Sequence, residues 1–313
     1  MNEQAYRAAE GRLWGSLGVQ PTEVWLDLPR HGARVRLQLV GEGPPVLFIH
    51  GANTAGASWA SLVSRLPDFR CLILDRPGAG LSPKWPRPID AASLPGIADT
   101  IVADILDALD LPRTHVVATS LGGYIALRAA AATPDRIDRM TQFSWPVGAP
   151  TSSVPSMLRL LAIPGVGRLA ASMPVSERSV RALFRRLGQT RALEDGRITQ
   201  ADVDAYLALL RHTDTMRNEL EPVRSLVSPI HGVRGLDLGE EVLGRIRCPV
   251  LFIWGAHDPF GGPEVARQLV ARLPTATLDL MPDAGHSPWL DDLEHCATAV
   301  AFHLGSASPL PHS

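Results

Sequence analysis

The chain has 313 residues, 45% hydrophobic and 20% charged, enough to bury one large core carrying an insertion or two modest cores. Its formal charge of −2 offers no basic field for nucleic acid. Three widely spaced cysteines, Cys71, Cys248 and Cys296, give neither a disulfide framework nor metal-ligand spacing, and read as reduced packing residues of a cytoplasmic protein.

The N-terminus is polar and lacks the apolar core of a signal peptide. Tyr6, Ala9, Leu13, Trp14 and Leu17 recur at helical spacing, so residues 5–17 predict a helix on the outside of the main sheet. Residues 24–28 and 34–40 alternate apolar and polar around a turn at 29–32. They predict an antiparallel edge hairpin with one wet face. The pattern then changes to continuous apolar runs at 46–49, 71–74, 115–118 and 250–254, which suit strands buried on both faces. Helical patterns at 59–66, 97–109 and 124–132 separate them. Residues 140–143 and 277–281 read as further strands and 291–304 as a closing helix. This rhythm is that of a mostly parallel, doubly wound α/β sheet.

Residues 146–244 break the rhythm. They hold helical patterns at 154–162, 177–187, 200–211 and 219–226, punctuated by seven prolines, and no convincing buried strand. The reading is a helical cap, 146–244, inserted between core segments 1–145 and 245–313. Its most lipophilic stretch, 157–174, is interrupted by Arg159, Pro164, Gly165 and Arg168, so no membrane span is expected. The first half is rich in arginine, including Arg178, Arg181, Arg185, Arg186, Arg191 and Arg197. A solvated helix face is preferred there over an anion site.

Each buried strand is followed by an unusual loop at its carboxyl end, the edge where open α/β sheets hold ligands. Ser120 stands where the 115–118 strand turns abruptly into a helix, with Ala118, Gly122 and Gly123 leaving room around it. On that stretch alone a helix cap remains an equal reading. A serine hydroxyl needs a positioned base, and His286, past the final strand, is the candidate. An imidazole that takes a proton needs a carboxylate on its far nitrogen, and Asp258 follows the preceding strand. His257 reads as a loop residue, His50 as a brace, and Asp75 and Arg76 as ties between loops.

Five motifs in order, Phe48-Ile-His-Gly51, Asp75-Arg-Pro-Gly-Ala-Gly-Leu-Ser82, Ser120-Leu-Gly-Gly123, Trp254-Gly-Ala-His-Asp-Pro259 and Gly285-His286, resemble the α/β-hydrolase superfamily over nearly the whole chain. The resemblance implies Ser120 as nucleophile, His286 as base and Asp258 as acid. It places the oxyanion hole at the backbone amides of Ala52 and Leu121. Ala118 stands where the family pattern has glycine. Asn53, Trp59, Trp145, Phe260 and Trp289 are candidates for the substrate pocket, with core packing equally open for the aromatic ones.

The activity expected is a serine hydrolase cleaving an ester, thioester or related carbonyl bond of a small apolar molecule through an acyl-enzyme, with no cofactor and no metal. Alternatives are carbon–carbon bond hydrolysis of a dicarbonyl compound, cofactor-free perhydrolase or haloperoxidase chemistry, and a non-catalytic small-molecule-binding homologue. Against carbon–carbon cleavage, the enzymes concerned often carry tryptophan four residues after the base; here that residue is Leu290 and Trp289 is three after. Oligomeric state is not legible in the sequence.

Overall fold

The computed structural model describes residues 1–149, 163, 165–166, 174–228, 232–233 and 235–305. A helix, α1 (Glu3–Ser16), precedes the hairpin β1 (Thr22–Leu28) and β2 (Ala33–Val40). Then come β3 (Pro45–Ile49), α2 (Ala60–Val63), β4 (Arg70–Asp75), α3 (Leu94–Ala108), β5 (Thr114–Thr119), α4 (Ser120–Ala132) and β6 (Ile137–Phe143). Among the described residues that follow are the helices α5 (Glu177–Arg186), α6 (Thr190–Glu194), α7 (Gln200–His212) and α8 (Thr215–Leu226). The chain rejoins the sheet through α9 (Glu240–Leu243) and ends with β7 (Val250–Gly255), α10 (Pro263–Val270), β8 (Ala276–Met281), α11 (Pro288–Asp291) and α12 (Leu293–Gly305).

The eight strands lie in the order β1-β2-β4-β3-β5-β6-β7-β8. β1 pairs antiparallel with β2, and β2 with β4; every other pairing is parallel. Strands β3, β4, β5 and β7 are largely apolar on both faces because helices cover both, whereas β6 buries Arg139, Thr141 and Gln142; two core clusters fill those layers. The strand order reverses at β3, whose neighbours are β4 on one side and β5 on the other. A crevice forms at the carboxyl end of such a switch. The loop 50–54 and Ser120 both emerge there.

Three expectations change. The predicted helix at 59–66 is a 3₁₀ turn, Gly56–Trp59, followed by the single turn of α2. The polar face of β2 is not wet, for Arg36 and Gln38 are 2% and 4% exposed. The cause is α1, which packs on the sheet and carries Glu10 onto Arg36: Arg36 Nη2 donates to Glu10 Oε2 at 2.6 Å and Nη1 to Oε1 at 3.0 Å. The insertion also holds a two-residue antiparallel pairing of Val227–Ser228 with Gly232–Val233. The expected helix at 154–162, with Arg159 and Arg168, lies outside the described residues. Further along, Arg178, Arg185 and Arg186 are exposed, while Arg181, Arg191 and Arg197 pair with Glu177, Asp283 and Asp195.

Candidate active site

β5 runs directly into α4, and Ser120 is the hinge. Its φ of +53° is left-handed, a conformation that costs a non-glycine residue about 1–3 kcal/mol. The surrounding residues hold it there by leaving no other room. A methyl group at Gly122 would overlap the carbonyl oxygens of Ile49 and His50, and one at Gly51 would come within 3.0 Å of Ser120 Cβ. The β3 loop therefore packs directly on the serine. Leu121 N–H is among the first amides of α4, which have no partner within the helix and face the positive end of its dipole. Ala52 lies beside Asn53, whose own φ is +55° and whose carbonyl accepts the Tyr206 hydroxyl at 3.0 Å.

Asp258 and His286 meet. His286 Nδ1 lies 2.8 Å from Asp258 Oδ2, and the carboxylate is wholly buried. Two backbone amides fix that carboxylate: Trp145 N–H donates to Oδ2 at 3.0 Å and Phe260 N–H to Oδ1 at 2.9 Å. With Nδ1–H donated to the carboxylate, Nε2 is left as the basic nitrogen. Phe260 covers the ring at a centroid distance of 4.6 Å and stacks on Trp145 at 5.3 Å.

A cavity of about 260 Å³ joins these groups; it is lined by Ser120, His286, Ala52, Asn53, Leu121, Trp145, Phe260 and Trp289. Among the described residues, no hydrogen bond links Ser120 Oγ to the imidazole, although both face this cavity. Catalytic hydrogen bonds commonly tighten only when substrate is bound. Its other walls come mainly from leucine, valine and alanine of the insertion and of the β3 loop. Of the described lining residues, the acidic ones are already engaged, Glu219 with Arg76 at 2.7 Å and Asp202 in the capping box of α7. No lysine or arginine appears among the described lining residues.

Trp59 is absent from the wall. It is fully buried against Phe48, Phe143 and Trp289, so of the two roles open to it the fold uses packing. His257 is exposed and away from the cavity. His50 is completely buried, and burial with the nearby Arg76 guanidinium pushes its imidazole well below the usual range. Its Nε2 accepts Arg76 N–H at 3.0 Å, which leaves Nδ1–H to donate to Gly51 O at 2.8 Å. It is a neutral strut under the 50–54 loop. Asp75 ties loops together, accepting from Gly56 N–H, Leu81 N–H and Arg36.

Several residues at the site were not placed there by the sequence reading. Tyr6, Tyr206 and Glu219 line the cavity, and Gln189 is buried behind the His286 loop. Each sits on or beside a helix with no motif around it, so only the packing of distant segments reveals it.

Residues 44–293 match the family model of the α/β hydrolase fold, and the chain belongs to that family of hydrolases. It is 30% identical over 279 residues to a pimeloyl-[acyl-carrier protein] methyl ester esterase of Chromobacterium violaceum, covering 86% of this chain and 97% of that one. It is 27% identical over 250 residues to a 2-hydroxy-6-oxononadienedioate/2-hydroxy-6-oxononatrienedioate hydrolase of Cupriavidus pinatubonensis, covering 77% and 80%. In fold it is similar to a carboxylesterase of Bacillus subtilis, with a TM-score of 0.75 at 18% identity over 97% of this chain and 99% of the other.

Proposed function

We propose that this hydrolase cleaves an ester or thioester bond of a small, apolar, uncharged substrate through Ser120, His286 and Asp258. The observation that carries the reading is the buried Asp258–His286 pair at 2.8 Å, opening on the same cavity as a serine held at positive φ. His286 Nε2 takes the hydroxyl proton as Ser120 Oγ attacks the carbonyl carbon, and Asp258 stabilises the imidazolium. The amides of Ala52 and Leu121 hold the oxyanion, commonly the largest single catalytic term. The imidazolium then protonates the leaving oxygen or sulfur, and a water deprotonated by the same nitrogen releases the acid from Ser120. The segment between β6 and β7 serves as the cap, its described residues Leu183, Leu187, Ala205 and Tyr206 covering the cavity against bulk water. The free, buried cysteines suit a reducing cytoplasm.

The relative from Chromobacterium violaceum supports an ester substrate. The relative from Cupriavidus pinatubonensis favours carbon–carbon cleavage, but its named substrates are dicarboxylates. The described lining, mostly aliphatic and aromatic side chains, suits an uncharged group better than a dianion. Labelling with a fluorophosphonate probe tests the reading. Wild-type protein should label and Ser120→Ala should not; an unlabelled wild type, or equal labelling of both, overturns it.

A further inference from the structure

One wall of the cavity comes from outside the matched family segment. The match begins at residue 44, yet Tyr6 and Leu13 of α1 line the cavity. Seven residues apart, they lie two turns along one helix face, roughly 10 Å from one another. They are 1% and 4% exposed, so they close the cavity instead of framing its mouth. Around them the wall carries methyl-sized side chains: Ala55 and Ala57 from the β3 loop, and Ala205 from α7. Leu209 of α7 packs in the same cluster as Tyr6, so the large side chains at this end come from Tyr6 and Leu13 of α1 and from Leu209.

The helix is fastened at several points. Its Glu10 holds Arg36 of β2, which also reaches Asp75 at the end of β4. Tyr6 hydroxyl donates to Glu10 Oε1 at 3.0 Å. At its start, Asn2 N–H donates to His212 O at the end of α7. Arg7 pairs with Glu23 of β1 at 2.6 Å. Such a wall is built to be rigid.

Its direction from the reacting atoms follows from the chain. The leaving group of an ester must face His286, which protonates it, and so lies toward Phe260 and Trp145. The other substituent of the carbonyl points away from His286. From the candidate oxyanion amide of Ala52, the loop runs through Ala55 and Ala57, beside α1. We propose that α1 is the stop for the acyl chain, with Leu13, beside Tyr6, setting the longest apolar acyl group that Ser120 accepts. This deepens the ester-hydrolase reading and rests on it.

The test is the chain-length profile of kcat/KM on p-nitrophenyl esters from acetyl to dodecanoyl, for wild type, Leu13→Ala and Leu13→Phe. Leu13 is chosen because it takes no part in the charge cluster. Each methylene in an apolar pocket discriminates by about 10- to 200-fold. Leu13→Ala should raise the ratio of long-chain to short-chain kcat/KM by about 10-fold or more, and Leu13→Phe should lower it by a similar factor. Loss of packing alone moves both variants in one direction. If the Leu13 variants do not fold, Ala205→Val narrows the same end from the facing helix and should cut the ratio. A wild type that hydrolyses no ester and resists the fluorophosphonate overturns the ester reading. An active wild type whose profile is shared by the folded variants overturns the role of α1 alone.

Discussion

The backbone N–H of His286 donates to the carbonyl of Leu187 at 2.8 Å, so the loop carrying the candidate base is tied to the end of α5. Gln189 reinforces the tie. It is completely buried, and the orientation that satisfies its amide has the oxygen accepting from Ser287 N–H at 2.6 Å and His286 N–H at 3.2 Å. Its nitrogen then donates to Phe184 O at 3.3 Å. Arg197 adds a further bond, to the carbonyl of Asp291. Residues 184–197 and the loop carrying His286 therefore share one set of hydrogen bonds. Gln189→Ala leaves the half-buried Ser287 N–H without its acceptor, at a cost of about 1–3 kcal/mol. We expect kcat to fall about 10-fold or more with a smaller change in KM, and Gln189→Asn, which keeps an amide with both donor and acceptor, to recover part of it. Steady-state kinetics on a p-nitrophenyl ester, with melting curves as a fold control, decides. Equal losses for the two variants count against positioning.

Asp258 receives three donors on two oxygens, and this predicts what its amide does. In Asp258→Asn one oxygen becomes NH₂ and must confront either Phe260 N–H or the pair Trp145 N–H and His286 Nδ1. The imidazole is pushed toward the wrong tautomer while the backbone keeps its course. Turnover should fall by about 10⁴, as the same change does in a serine protease. A loss under 10-fold, measured on folded protein, places the acid elsewhere.

Much of the architecture is legible because burial on both faces leaves so plain a mark: runs such as Val46–Ile49 and Val250–Trp254 carry no polar residue at all. The loops after those strands then stand out by their glycines, which is why Asp258 and His286, 28 residues apart, are found together. The polar side of β2 misleads for the opposite reason. Arg36 and Gln38 look wet until Glu10, 26 residues earlier, is brought against the guanidinium. Trp59 shows a third limit, since a large apolar ring suits a core and a pocket equally. Gln189 shows a fourth: its role depends on Ser287, 98 residues later, and no spacing encodes that.

The Arg36 cluster makes a stability prediction. Burial raises the Glu10 carboxyl while Arg36 draws it down. Arg36 is held above its usual range, despite burial, by Glu10 and Asp75. Removing one partner of a buried pair leaves charge uncompensated, typically a loss of about 3–5 kcal/mol. Asp75 and Glu23 remain near Arg36, so the lower end applies to Glu10→Ala. The melting midpoint should drop by roughly 5–10 °C. A midpoint within about 1 °C of wild type, by calorimetry at neutral pH, shows that α1 is not fastened by this pair.

Asp291 predicts a pH dependence of stability. Its carboxyl is 2% exposed, and burial pushes it up to about 6 against the opposing Gly285 N–H, Arg197 and His257. Gly285 N–H donates to Oδ2 at 2.8 Å, one residue before His286. An unfolded aspartate titrates near about 3.9. Between about 4 and 6 the folded chain holds a proton that the unfolded chain has released, so this residue stabilises the fold below about 4 and loses that contribution as pH rises through about 6. Asp291→Asn keeps an acceptor for Gly285 and cannot ionise. Its stability relative to wild type should therefore improve from pH 4 to pH 7, by on the order of 3 kcal/mol. Urea unfolding at the two pH values measures the difference directly; a gap that stays constant, or moves the other way, refutes the raised carboxyl.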